Sequence, residues 1–294
     1  MLKRGGIMAK VKNLTMRGCD KKPITFDIFF NESLMPQPVI IYAHGFNGFK
    51  DWGNFDLIAD QFLASGFAFI KFNFSYNGTS PEQPEHFVDL AAFGENNYTR
   101  QLDDLKCIID WIYNPFNPYR SALAIDKIGL IGHSMGGGIS IIKTAEDRRI
   151  KSLITWAAID QCKTPWGNWS REQLKEWKHE GVAYYINGRT RQQMPLNYQL
   201  YEDFLTNQEH LDILKAANQI KVPWLICHGT EDINVPVTQA YNLKKGNANA
   251  ALFTISTDHV FGRRHPWNSI TQPFAMQEVL NRNILFFKQH LGTQ

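Results

Sequence analysis

The chain has 294 residues, 44% of them hydrophobic and 20% charged, and 31 Lys and Arg against 28 Asp and Glu leave a net charge of +3. That apolar fraction excludes disorder as the main state, and the length suits one large domain or a core carrying an insert. So small a charge, with no basic block, argues against nucleic acid or an anionic membrane surface as a partner.

No apolar run approaches the roughly 18 residues that a membrane helix needs. Met1–Lys10 carries Lys3 and Arg4 but no apolar run of signal-peptide length behind them, and Met8 offers an alternative start. Four cysteines (Cys19, Cys107, Cys162 and Cys227) show no C-x-x-C spacing, so neither a disulfide framework nor a thiolate metal site is expected. Cys107 and Cys227 sit in apolar runs and read as core. The expected compartment is the cytoplasm.

In chain order, Val11–Met16 and Ile24–Phe30 predict two strands joined by a polar turn around Asp20–Pro23. Pro38–Ala43 predicts a third strand, Phe55–Ala64 a helix, Phe67–Phe74 a strand and Asn96–Trp111 a helix. Lys127–Ile131 (strand), Gly137–Ala145 (helix) and Lys151–Ile159 (strand) follow. After a long interval come Val222–Cys227 (strand), Val237–Lys244 (helix), Ala250–Ile255 (strand) and Gln272–His290 (helix). Continuous apolar runs mean strands buried on both faces, as in a parallel sheet covered by helices. The alternation predicts a doubly wound α/β fold.

The interval between the strand ending near Asp160 and a helix beginning near Leu211 holds about fifty residues, far beyond an ordinary connection. It is rich in large aromatics: Trp166, Trp169, Trp177, Tyr184, Tyr185, Tyr198, Tyr201 and Phe204. Ser170–His179 reads as a helix with a capping box from Ser170 to Gln173. The expected organisation is a core of residues 1–160 and 210–294 with an inserted cap at 161–209. Trp166, Trp169 and Tyr185 are its candidate pocket residues. The alternative is that these aromatics form a small core of their own.

Gly132-His133-Ser134-Met135-Gly136 carries the strongest chemical signal. A strand runs straight into it, and a glycine-rich helix start follows. A nucleophile on so tight a turn needs small neighbours, and the helix behind it aims N–H groups at a developing oxyanion. The alternative is a glycine-rich turn with an inert serine. Serine needs a base and an orienting acid, expected in the order Ser, acid, His. Asp232 in His228-Gly229-Thr230-Glu231-Asp232 is the favoured acid, with Glu231 and Asp160 as rivals. His259, in Thr257-Asp258-His259-Val260-Phe261, is the favoured base, with His265 as the alternative. His44-Gly45-Phe46-Asn47-Gly48 follows the third strand. The backbone N–H groups of Phe46 and Met135 are the expected oxyanion donors, and His44 is expected to bond that loop together. No H-E-x-x-H, Walker or G-x-G-x-x-G pattern is present, so no metal and no cofactor is expected.

Together these residues resemble the α/β-hydrolase superfamily over the sheet from about Ile24 to the C-terminus. The His44-Gly45-Phe46 and Asp258-His259-Val260-Phe261 loops are similar to those of dienelactone-hydrolase-like and prolyl-oligopeptidase-like proteins, and to cinnamoyl and feruloyl esterases that carry an insert. Dienelactone hydrolases use cysteine where this chain has Ser134. The resemblance implies a mostly parallel sheet with helices on both faces and an inserted helical cap. It also implies a serine hydrolase acting on a small carboxylic ester, of aryl or cinnamoyl type among others, through Ser134, Asp232 and His259; the aromatic composition of the insert predicts an apolar pocket suited to an acyl or aromatic ester. A peptidase or amidase and an acyl thioesterase are alternatives on the same triad, and a non-catalytic binding protein is a more remote one. The oligomeric state is open, with a homodimer compatible.

Overall fold

The computed structural model describes residues 8–32, 35–53 and 55–292. Three strands open the chain: β1 (Met8–Arg17), β2 (Pro23–Asn31) and β3 (Gln37–Ala43). There follow α1 (Phe55–Ala64), β4 (Ala68–Asn73), α2 (Leu90–Gly94), α3 (Tyr98–Tyr113), β5 (Leu123–His133), α4 (Met135–Glu146) and β6 (Ile150–Trp156). Next come α5 (Arg171–Glu180), β7 (Val182–Ile186), β8 (Gln193–Asn197), α6 (Gln199–Thr206) and α7 (Ile213–Gln219). β9 (Trp224–Gly229), α8 (Thr238–Gly246), β10 (Ala251–Ile255) and α9 (Phe274–Leu291) complete the chain.

Eight strands form one sheet in the order β1-β2-β4-β3-β5-β6-β9-β10. From β4 to β10 every pairing is parallel, while β2 runs antiparallel to both β1 and β4. Period-two alternation divides the core. In β3, Val39, Ile41 and Ala43 face the cluster under α3, α4, α7 and α8, whereas Ile40 and Tyr42 face the cluster under α1 and α9. Helix α1 shows why the periodicity was readable: its buried residues Phe55, Ile58, Ala59, Phe62 and Leu63 fall at i, i+3, i+4, i+7 and i+8. The predicted mostly parallel α/β sheet with helices on both faces is the observed one.

The segment between β6 and β9 is not purely helical. α5 begins at the expected capping box, with Ser170 and Gln173 bonding reciprocally, and ends at Gly181 in a left-handed conformation (φ 73°). An antiparallel β7–β8 hairpin then follows, pairing Tyr184 with Pro195 and Tyr185 with Met194. The Asn187 carboxamide oxygen accepts from the N–H groups of Arg189 (2.9 Å) and Thr190 (3.1 Å) and so shapes the connection. Strands of five residues are too short to be told from helix by apolar spacing alone. The aromatics pack on one another: Trp166 lies 5.8–6.0 Å from the rings of Tyr98, Trp177, Tyr201 and Phe204. Trp177 donates its indole N–H to Leu196 O at 2.6 Å.

Candidate functional site

Ser134 sits between β5 and α4 with φ 55° and ψ −121°, a strained conformation for a residue with a side chain. Backbone hydrogen bonds hold it there. Its N–H donates to Trp156 O (2.9 Å), and its carbonyl accepts from Gly137 N (2.9 Å) in the first turn of α4. The elbow fits because glycine lets the backbone come close. A Cβ on Gly136 would fall against the carbonyls of Ala43 and His44, and one on Gly45 would lie 2.8 Å from the Ser134 Cβ. The turn holding Phe46 is thereby packed against the serine, and the N–H of Met135 opens a helix whose first amides have no helical acceptor.

His44 bonds that loop internally. Its Nδ1–H donates to Gly45 O (2.9 Å), while its Nε2 accepts from Phe74 N (3.3 Å). Burial lowers its pKa to about 4, against the smaller opposing effect of the Gly45 bond, so the ring is neutral.

The loops after β9 and β10 bring Asp232 and His259 together, with His259 Nδ1–H donating to Asp232 Oδ2 at 2.7 Å. The other carboxylate oxygen accepts from the N–H groups of Asn234 and Val235, both at 2.9 Å. Burial alone would raise the Asp232 pKa. Hydrogen bonds from His228 and His259, the charge of His259 and the Val235 N–H outweigh it and hold the carboxyl well below its ordinary value. The rivals are bonded to other groups. Glu231 accepts from the Ser256 hydroxyl, Asp160 accepts from Asn242 Nδ2 (2.7 Å), and His265 Nδ1 accepts from Gly53 N (3.1 Å).

Two histidines the sequence reading left without a role support this arrangement. His133 Nε2–H donates to the His259 carbonyl at 3.0 Å, and the two rings lie 4.8 Å apart. Burial first, then the charges of His259 and Arg263, push the His133 pKa well down, keeping it neutral. His228 is buried behind Asp232, with Nε2–H donating to Val235 O (2.8 Å) and lying 3.4 Å from Asp232 Oδ2.

Ser134 and His259 border one cavity of about 590 Å³, also lined by Phe46, Asn47, Asp160, Lys163, Asn168 and Gln239 among others. Its wall is chiefly polar, which corrects the expectation of an apolar pocket. The expected pocket residues Trp166 and Trp169 are not in that lining. Trp166 is 3% exposed inside the aromatic cluster, and Trp169 packs on Trp177 at 5.0 Å. Their large rings repay burial more than solvent contact, so the turn presents Pro165, Gly167 and Asn168 instead. Tyr185 stands one step back from the lining. Its ring lies 5.7 Å from that of Phe46, and its hydroxyl donates to Asn47 Oδ1.

Beyond the loop that holds Phe46, a buried ion network fastens the chain. Lys50 Nζ is 2.8 Å from Asp27 and 2.5 Å from Asp51, and Lys71 Nζ meets Asp27 (3.1 Å), Asp51 and Asp56 (2.5 Å). Both lysine side chains are fully buried. Among the described residues, Asp27, Asp51 and Asp56 form the one group of carboxylates close enough to share a metal ion, and ammonium groups bridge them. A signal for this network lay in the sequence. Asp27 and Lys71 each interrupt an apolar strand, and they are direct partners across the β2–β4 pairing.

The family described as alpha/beta hydrolase fold matches residues 38–196, more than half of the sequence. The chain belongs to the α/β hydrolase fold family. Among curated proteins it is 30% identical over 120 residues to the quorum-quenching protein AidA of Acinetobacter baumannii, a match covering 40% of this chain and 34% of that one. The chain thus spans about a third of that relative's length. It is 24% identical over 241 residues to a Mycoplasma pneumoniae protein named "Putative esterase/lipase 2", covering 73% of this chain and 79% of that one. Among solved structures, the α/β hydrolase GrgF from Penicillium sp. sh18 superposes with a TM-score of 0.67 at 19% identity, over 97% of this chain and 99% of that one. Among the described residues no helix is long and apolar enough to cross a membrane.

Proposed function

We propose that this protein is a serine hydrolase of small carboxylic esters, with Ser134 as nucleophile, His259 as general base and Asp232 as its orienting acid. The observation that carries the reading is the 2.7 Å bond from His259 Nδ1 to Asp232, with His259 and Ser134 bordering the same cavity. The bond leaves His259 Nε2 as the basic nitrogen. In the reaction Nε2 takes the Ser134 proton as Oγ attacks the ester carbonyl, and Asp232 stabilises the imidazolium that forms. The N–H groups of Phe46 and Met135 stabilise the tetrahedral anion. His259 then protonates the departing alcohol, and water attacks the acyl-enzyme by the same route in reverse.

Residues 161–209 act in this reading as a cap whose Lys163–Asn168 turn forms one cavity wall. The name of the Mycoplasma relative supports an ester substrate over an amide or thioester. The free thiols of Cys107, Cys162 and Cys227 fit a reducing, cytoplasmic setting.

Treatment with a fluorophosphonate followed by intact-mass measurement tests the assignment. One adduct on the wild-type chain, absent from Ser134→Ala, is expected, with hydrolysis of p-nitrophenyl butyrate lost in the same variant. An adduct that persists in Ser134→Ala, or undiminished turnover by it, would overturn the reading.

A further inference from the structure

The polar cavity holds a carboxylate that the triad does not use. Asp160 follows Ile159, whose N–H donates to the Ser134 carbonyl (3.3 Å), so it stands close to Ser134, four residues beyond the end of β6. It is 4% exposed and borders the cavity shared by Ser134 and His259. Helix α8 fixes it with two side chains one turn apart. Asn242 Nδ2 donates to Oδ2 at 2.7 Å, and Gln239 Oε1 accepts the Asp160 N–H at 2.9 Å. Among the described residues no hydrogen bond reaches Oδ1 and no cation lies within ion-pair distance of either oxygen.

A carboxylate so withdrawn from water is stable when a countercharge or several donors meet it. Asp27 and Asp51 are met by lysines and Asp232 by an imidazole, whereas Asp160 has one carboxamide. Lys163 also borders the cavity, but its side chain is solvent-exposed and out of ion-pair reach. With Oδ2 taken by Asn242, Oδ1 is the oxygen left for a group in the cavity that Asp160 borders. We propose that Asp160 is a cation subsite, selecting esters whose acyl group carries a primary ammonium; this rests on the serine-hydrolase reading. The ammonium takes the place left empty opposite Oδ1, and Gln239 and Asn242 keep the carboxylate from turning away.

Two isosteric pairs test it: p-nitrophenyl glycinate against propionate, and p-nitrophenyl β-alaninate against butyrate, each corrected for its own rate of hydroxide hydrolysis. In at least one pair the wild-type chain should prefer the ammonium ester in kcat/KM by about tenfold or more, the worth of one charge-assisted hydrogen bond. Asp160→Asn should bring that ratio close to one. Ratios of one or below for both pairs in the wild-type chain, which need no variant, would overturn the proposal. So would a preference that survives in Asp160→Asn. A preference that emerges only in Lys163→Met would make Lys163 the native counterion and overturn it equally. Failure of all four esters with no fluorophosphonate adduct would instead defeat the hydrolase reading, and the subsite with it. An adduct without ammonium preference defeats the subsite alone.

Discussion

Lys50→Met and Lys12→Met remove the same charge from the same ion network at very different depths. Lys50 is fully buried between Asp27 and Asp51, while Lys12 is 40% exposed beside Asp56 at 2.9 Å. Without Lys50, three carboxylates share Lys71 and Lys12, and buried Asp27 keeps Lys71 as its one cation, with the Asn13 N–H (2.8 Å) still on Oδ1. Breaking a buried pair from one side costs about 3–5 kcal/mol, because the remaining charge has lost both water and partner. An exposed pair is worth about 0–1 kcal/mol. An unfolding entropy of roughly 2.1 cal/mol/K per residue gives about 0.6 kcal/mol/K for a chain of 294 residues. Lys50→Met should therefore lower Tm by about 5–8 °C and Lys12→Met by less than about 2 °C. Circular dichroism melts at pH 7 and low salt, with rescans to establish reversibility, would read both. Equal shifts in the two variants would refute the reasoning, since burial would then have no bearing on the cost.

Asp232→Asn should leave the fold intact yet lower kcat on p-nitrophenyl butyrate by about 10³–10⁴, through loss of the productive His259 tautomer. A loss below tenfold would mean that another group orients the base. The His44 pKa, about 4 in the fold against 6.5 for an ordinary histidine, sets an acid-side dependence. Between those values the unfolded chain binds a proton that the folded chain refuses. Stability is thus complete above about pH 6.5 and declines as pH falls toward 4, by about 3 kcal/mol in all. His44→Gln keeps a donor and an acceptor without titrating, so its Tm loss between pH 7 and 4.5 should be smaller than the wild type's by about 4 °C. Parallel curves would sink that account.

The parts of the molecule that were legible in the sequence are those where local pattern and burial agree. Phe55–Ala64 was readable to the residue because its apolar spacing matches the helical repeat and nothing else competes. Ser170 and Gln173 announced α5 through a cap that needs only four residues. Ser134, Asp232 and His259 stood out as candidates because each follows a strand, where an open parallel sheet gathers its loops. The hairpin β7–β8 and the five-residue α2 were missed, being too short for periodicity to speak. The pocket misled for a different reason. Aromatic composition in 161–209 does not say which way a ring turns, and packing with Tyr98 and Trp177 drew Trp166 inward. Likewise a charged residue within a strand reads as a surface position until its partner is known. Lys71 found Asp27 on the neighbouring strand, a pairing that only the sheet order supplies.

The segment between β6 and β9 is stitched to the start of α3 and its flank. Asn97 Nδ2 donates to Gln199 Oε1 (2.8 Å), Thr99 Oγ1 to Asp203 Oδ1 (2.6 Å) and Asn197 Nδ2 to Glu95 Oε1 (2.5 Å). The Tyr98 hydroxyl holds the Thr164 backbone at both ends, accepting from its N–H (2.8 Å) and donating to its carbonyl (3.3 Å). A swinging movement of this segment would have to break all of these at once and draw Trp166 out of its ring cluster. Such an opening would be a partial unfolding event rather than a hinge movement. With the segment held in this way, a ligand of the proposed hydrolase would enter and leave the cavity without any swing of residues 161–209.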